Sequence, residues 1–227
     1  MMDTNQPFSD RTLVAEYVET TPRKVPGLAD LHRMAMLLMA ERLPEGARIL
    51  VLGAGGGLEL KAFAEAQAHW TFEGVDPSVE MLDLARSVVG PLQSRIEFRN
   101  GYIDSASSNP FDGATCLLTM HFLDRDERLR TLKEIHRRLK PGAPLIVAHH
   151  SRPDSGELSA WLVRSAVFAG GPELDFDKAA RSAAVMTERL HLLHSNEEEA
   201  LLSEAGFSDI ALFYAGFSFR GWVAFPN

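Results

Sequence analysis

At 227 residues, with 45% hydrophobic and 24% charged side chains, the chain has the size and composition of one globular domain with a sizeable core. A formal net charge of −8 argues against sequence-independent nucleic-acid binding, which needs clustered Lys and Arg. A single cysteine, Cys116, allows no disulfide framework, no apolar run is long enough to span a bilayer, and "MMDTNQPFSD" lacks a secretory pattern, so a cytoplasmic protein is expected.

Residues 1–10 are polar and expected to be mobile. A short helix is predicted over 11–19 and a loop over the proline-bracketed "TPRKVPG", 21–27. Leu31, Met34, Ala35, Leu38, Met39 and Leu43 recur at helical spacing and predict an amphipathic helix over 28–43. An alternation follows. Strands are expected at 48–52, 70–75, 95–98, 114–120 and 143–149, and helices at 57–68, 78–89 and 125–139, the last stopped by "KPG". Alternating strands and helices imply parallel strands with right-handed crossovers, and wholly apolar strands fit a sheet covered on both faces.

Beyond His150 the pattern turns helical, at 155–168, 177–191 and 195–205, with Ser195 or Asn196 as cap of the last helix. The end, "IALFYAGFSFRGWVAF", reads as two strands turning at Ala215–Gly216, with an antiparallel strand inserted last. The fold class is therefore α/β, a Rossmann-like, mostly parallel sheet of seven strands. Residues 1–45 form a helical cap, 46–150 the ligand-binding core, 151–207 a helical insertion and 208–227 a terminal hairpin.

Chemistry concentrates at "VLGAGGGLEL". The dinucleotide pattern G-x-G-x-x-G wants a small sixth residue for close helix packing, and Leu58 stands there. The spacing is instead G-x-G-x-G, at Gly53, Gly55 and Gly57, between a strand and a helix. Bare backbone without a pyrophosphate to hold suits S-adenosylmethionine, which carries no phosphate. Asp76, ending the next strand, can accept both hydroxyls of a ribose, or cap the helix that follows Pro77 and Ser78.

"VLGAGGG", "GVDPSVEMLDLAR", "HFLDRDERLRTLKEIHRRLKPGAPLIV" and "EAGF" resemble the class I S-adenosylmethionine-dependent methyltransferases. "RKVPGLADLHRMAMLLMAERL" and "FYAGFSFRGWVAF" bring the chain closest to the carboxy-S-adenosyl-methionine synthases, a family of tRNA-modification proteins. The resemblance implies S-adenosylmethionine as cofactor. It places Gly53, Ala54, Gly55 and Gly57 in the loop under it, and Asp76 and Pro77 at its ribose. It sets Gly101, Tyr102 and Ile103 beside the adenine, with Met81 packed on it, and Leu117 and Leu118 beneath the sulfonium.

Several positions depart from the family. Val51 replaces an acid two residues before the first glycine, and Tyr102 replaces another, for which Asp104 can substitute. Leu28 and Leu201 stand where the synthases carry Tyr and a carboxylate-binding Arg. A carboxylated cofactor facing Leu201 would lose its charge-assisted partner, so plain methyl transfer is expected.

His121 and His150, at strand ends, are the candidate catalytic bases, with His149 beside them; each also has a reading as a hydrogen-bonded structural histidine. Arg23 and Lys24 can meet an anionic acceptor. His191 and His194 lack a third ligand, so no metal is expected. The expected partner is a small-molecule acceptor, with no membrane and no direct nucleic-acid binding, and a homodimer is left open. Two alternatives are carboxyl transfer onto the cofactor's methyl, in tRNA wobble-uridine modification, and a non-catalytic cofactor-binding protein.

Overall fold

The computed structural model describes residue 8 and residues 10–227. The expectation of mobility for 1–10 therefore falls, apart from Phe8 and Asp10, outside the described residues.

Seven strands form one sheet in the order β3-β2-β1-β4-β5-β7-β6. They are β1 (Arg48–Leu52), β2 (Thr71–Asp76), β3 (Ile96–Asn100), β4 (Gly113–Leu117), β5 (Leu145–His150), β6 (Phe207–Gly216) and β7 (Phe219–Pro226). β1 to β5 pair in parallel, and β7 runs antiparallel to both β5 and β6. The chain order reverses between β1 and β4, so a crevice opens at their carboxyl ends, where open α/β sheets hold ligands.

Among the described residues eight α-helices surround the sheet: α1 (Arg11–Lys24), α2 (Leu28–Ala40), α3 (Leu58–Ala66), α4 (Val79–Val89), α5 (Arg125–Arg138), α6 (Leu158–Ala169), α7 (Phe176–Arg189) and α8 (Ser195–Glu204). Strand alternation divides the core in two. Ile49 and Val51 of β1 join Leu31, Ala35 and Met39 of α2, Phe63 of α3 and Leu82 of α4 on one face. Leu50 and Leu52 join Leu132 and Ile135 of α5, Leu201 of α8 and Trp222 of β7 on the other. Each fully buried side chain of the size of Phe63 contributes roughly 1.5–3 kcal/mol. Among the described residues no helix is long and apolar enough to cross a membrane.

Three expectations are corrected. The segment 21–24 is not a loop, because α1 runs through it with Pro22 inside. Val14, Thr21 and Val25 continue one buried stripe, while the proline ring is exposed. The last turn holds because the Val25 N–H still donates to the Thr21 carbonyl. The terminal hairpin does not turn at Ala215–Gly216, since Gly216 pairs with Phe219 and the turn is Phe217–Ser218, with Phe217 at φ 51°. A Cβ on Gly216 would lie 3.1 Å from Pro26, so that glycine answers a close approach and not a turn. Finally, α8 is capped by His194, whose N–H donates to Glu197 at 2.8 Å, and not by Ser195 or Asn196.

Candidate active site

The loop after β1 is tied to β2: the N–H groups of Gly53 and Ala54 both donate to the Val75 carbonyl, at 2.8 and 3.0 Å. Gly53, Gly55 and Gly57 all hold φ between 48° and 80°. A side chain on Gly53 would collide with Thr119, which follows β4. On Gly57 it would reach within 2.9 Å of the Ala85 backbone. Gly57 is thus where α3 and α4 approach each other, and Leu58 beside it does not prevent the approach.

Asp76 locks this loop. One carboxylate oxygen accepts from the Gly55 N–H and the other from the Ser78 N–H, both at 2.9 Å. Burial pushes its carboxyl above the usual range, while these two donors pull it back. The cap of α4 is Ser78, whose hydroxyl accepts from the Met81 N–H at 3.1 Å. Asp76 is thus not the helix cap; its carboxylate organises the loop and lines the crevice.

A cavity of about 210 Å³ lies there. Of the residues expected at the cofactor, it is lined by Gly53, Gly55, Asp76, Pro77, Met81, Gly101, Tyr102, Ile103, Leu117 and Leu118. Ala54 and Gly57 do not line it; they shape the loop from behind. Leu118 holds φ 58°, unusual for a branched side chain, with its N–H donating to the Ala148 carbonyl. Strain of this kind concentrates at functional sites.

The sequence reading missed the roof. Phe8, Tyr17, Thr119, Phe122 and Leu123 line the cavity. The Phe8 and Phe122 rings meet edge to face at 5.4 Å, and the Ser78 hydroxyl donates to the Phe8 carbonyl at 2.6 Å. Thr119, Phe122 and Leu123 follow a strand end and were findable by that logic. No local signal marks Phe8 or Tyr17.

His121 and His150 do not line the cavity. Both are buried, and the His150 N–H donates to His121 Nδ1 at 3.2 Å. The His150 ring stacks on Phe219 and its Nδ1 pairs with the Ser218 hydroxyl at 2.8 Å. Burial is the main cause that lowers His121 well below the ordinary imidazole range and His150 to about 3. His149 Nε2 lies 3.0 Å from Glu198, which also pairs with the buried Arg128. Arg23 and Lys24 are exposed at the end of α1. Asp104 points outward and pairs with Arg130 at 2.9 Å, so it is not a cavity carboxylate. Leu28 and Leu201 are core residues on opposite faces of the sheet and neither lines the cavity, so neither side chain bears on whether a carboxylated cofactor fits there.

The cavity suits a nucleoside without phosphate. Asp76 keeps lone pairs for hydroxyl donors, the glycines leave the backbone bare, and Met81 and Ile103 offer an apolar slot. Residues 49–142 match a family model described as a methyltransferase domain. The carboxy-S-adenosyl-L-methionine synthase of Chromohalobacter salexigens is 26% identical over 96% of this chain and 83% of its own length. The enzyme of that name from Haemophilus ducreyi is 26% identical over 95% and 90%. Among solved structures, an O-methyltransferase family protein from Burkholderia thailandensis superposes with a TM-score of 0.69 at 15% identity, covering 99% of this chain and 63% of that one. Human N-acetylserotonin methyltransferase, in complex with S-adenosylmethionine, gives 0.63 at 15% identity, covering 98% and 58%. The chain thus spans about three-fifths of these two structures, a likeness of fold. Sheet order, the glycine loop tied to Asp76 and the methyltransferase domain matched over residues 49–142 together support a class I S-adenosylmethionine-dependent methyltransferase.

Proposed function

We propose that the chain transfers the cofactor's methyl group to a small-molecule acceptor. The observation that carries this reading is the roof: Phe8, Tyr17 and Phe122 line the space over the crevice, which supports α1 as a cap over it. When bound, S-adenosylmethionine supplies an electrophilic methyl on a sulfonium. The chain's own part is to hold and orient, which is where most of the rate of an in-line transfer comes from.

In this reading Asp76 takes the ribose hydroxyls and Pro77 stiffens the turn beside it. Met81 and Ile103 sandwich the base, with Gly101 and Tyr102 at its rim. Leu117 and Leu118 form the floor under the sulfonium. Ala54 and Gly57 keep the loop in shape. His121 and His150 act from behind the wall; groups that protonate so reluctantly hold the 120–122 turn better than they collect a proton at neutral pH. The −8 charge supports an acceptor other than nucleic acid, and the buried lone Cys116 supports a reducing cytoplasmic setting.

A second reading, carboxyl transfer onto the cofactor's methyl, is favoured by the near-full-length match to relatives bearing the synthase name. One experiment separates the two. Mass spectrometry of the purified protein, then of reactions with S-adenosylmethionine and an acceptor panel, detects S-adenosylhomocysteine for the first reading and a carboxylated cofactor for the second. High occupancy by the carboxylated species would overturn the methyl-transfer reading.

A further inference from the structure

We propose that Glu127 is the residue that selects the base: its carboxylate takes the exocyclic amino group of adenine and so admits a 6-amino purine over a 6-oxo purine. The inference deepens the S-adenosylmethionine reading of the cavity and rests on it.

One wall of the cavity belongs to α5, which presents Glu127, Arg130 and Thr131 to it. Their spacing of i, i+3 and i+4 puts all three on one face of the helix. That face is tied to the turn after β3, because Arg130 reaches Asp104 of the short helical turn Ile103–Ser105 at 2.9 Å. Glu127 lies one turn before Arg130 on the same face. It therefore borders the part of the cavity that Tyr102 and Ile103 line. Glu127 is exposed as well as cavity-lining, so it stands at the mouth.

Its carboxylate is uncommitted. Each nearby arginine of α5 holds another acid: Arg125 holds Glu204 at 3.0 Å, Arg128 holds Glu198, and Arg130 holds Asp104. The helix cap uses only the Glu127 backbone, whose N–H donates to Asp124 at 2.9 Å. Among the described residues the Glu127 carboxylate has no hydrogen bond and no ion pair. The first turn of a helix favours a negative charge, which accounts for an acid here but not for its place in the cavity lining. Among the described residues one other carboxylate lines the cavity, Asp76, and both its oxygens serve the glycine loop and the start of α4.

Met81 and Ile103 cover the faces of the base and Asp76 holds the ribose, so the edge of the base far from the ribose needs its own partner. In adenine that edge carries an amino group, which donates. In hypoxanthine it carries a carbonyl oxygen, which accepts. An ionised carboxylate only accepts, so it pairs with the first and repels the second. A site built around such a bond discriminates against the analogue that cannot form it.

The experiment is titration calorimetry with S-adenosylhomocysteine and S-inosylhomocysteine, in which a 6-oxo group replaces the 6-amino group. The proteins are wild type, Glu127→Gln and Glu127→Ala. Wild type is expected to prefer the adenosyl ligand about tenfold or more. Glu127→Gln can turn either a donor or an acceptor to the base, and is expected to bring the two affinities within about threefold, chiefly by binding the inosyl ligand better. Glu127→Ala is expected to narrow the preference by weakening the adenosyl ligand. Both variants are expected to melt like wild type, since an exposed, unbonded side chain is changed. A preference unchanged in both variants would overturn the assignment. So would an equal loss for both ligands, which marks a distortion of α5. Wild type that binds S-adenosylhomocysteine without preferring it over the inosyl ligand would overturn this inference and leave the cofactor reading standing. If wild type binds neither ligand, the cofactor reading fails, and this inference with it.

Discussion

Replacing Asp76 separates what the loop needs from what the ligand needs. Each carboxylate oxygen accepts one buried backbone N–H, from Gly55 and from Ser78. Asp76→Asn keeps one oxygen and turns an amide N–H toward the other donor. Asp76→Ala removes both acceptors. An unsatisfied buried N–H costs about 1–3 kcal/mol, so Asn should lose roughly that and Ala up to twice as much. Relief from burying an ionised carboxylate trims both figures, because burial is the main influence on this group. For a domain of this size each kcal/mol is worth about 2–4 °C, so Asn should melt roughly 2–12 °C lower and Ala lower still. Ligand affinity should fall as well, since a charge-assisted bond to a ribose hydroxyl contributes about 1.5–3 kcal/mol, or roughly 10- to 150-fold. Thermal melts and S-adenosylhomocysteine calorimetry on the three proteins give both numbers. Wild-type melting and wild-type affinity in Asp76→Ala would refute the role of this carboxylate.

Gly57→Ala should destabilise without touching the cavity, because its Cβ meets the Ala85 backbone and its φ of 80° disfavours a side chain. Left-handed strain and overpacking together predict about 2–5 kcal/mol, visible as a lower melting temperature, and an unchanged melt would contradict the close approach of α3 and α4. Stability should also depend on pH through His32, held near 4, His150, held near 3, and His121, held lower than usual. Their folded values lie below the unfolded value of 6.5, so the unfolded chain binds the extra protons and stability falls as pH drops from 6.5 toward 4. Glu59 acts oppositely: its folded value of about 7 exceeds the unfolded 4.5, so its contribution is full at low pH and is lost between those limits. Three histidines outweigh one glutamate, and melting temperature should climb from pH 4.5 to 6.5 and then level or dip. Glu59→Gln should flatten the dip, and a melting temperature highest at pH 4.5 would be inconsistent with neutral buried histidines.

The framework was legible because its signals are local. Leu31, Ala35 and Met39 mark a helix face by spacing, and that face is buried. The glycine loop and Asp76 announced each other across one helix. What could not be read depends on approach from far along the chain. Tyr17 and Phe8 reach the cavity only after α1 folds back over the sheet, and no pattern near them says so. Gly216 looked like turn chemistry because a glycine's cause is invisible in sequence; Pro26, far away, is the cause. His149 and His150 were correctly located at the end of β5, whereas β4 stops at Leu117 and His121 lies in the 120–122 turn beyond it; whether a ring looks into a crevice or behind it depends on neighbours such as Ser218 and Phe219.

The insertion of β7 between β5 and β6 has a kinetic consequence. β6 is bonded to the sheet through β7 alone, and β5 keeps an open edge on that side until the same strand arrives. During synthesis β1 to β5 can pair while residues 219–226 are still to come, but β6 has no docking partner. An exposed strand edge of "LIVAHH" is a template for pairing with another chain, so the interval before β7 closes is when aggregation competes. Closure is a late, non-local event, the kind that sets slow folding rates. Pulse-labelled hydrogen exchange during refolding should therefore protect β1 and β4 before β6. Early protection of β6 would show instead that the hairpin forms first and docks as a unit.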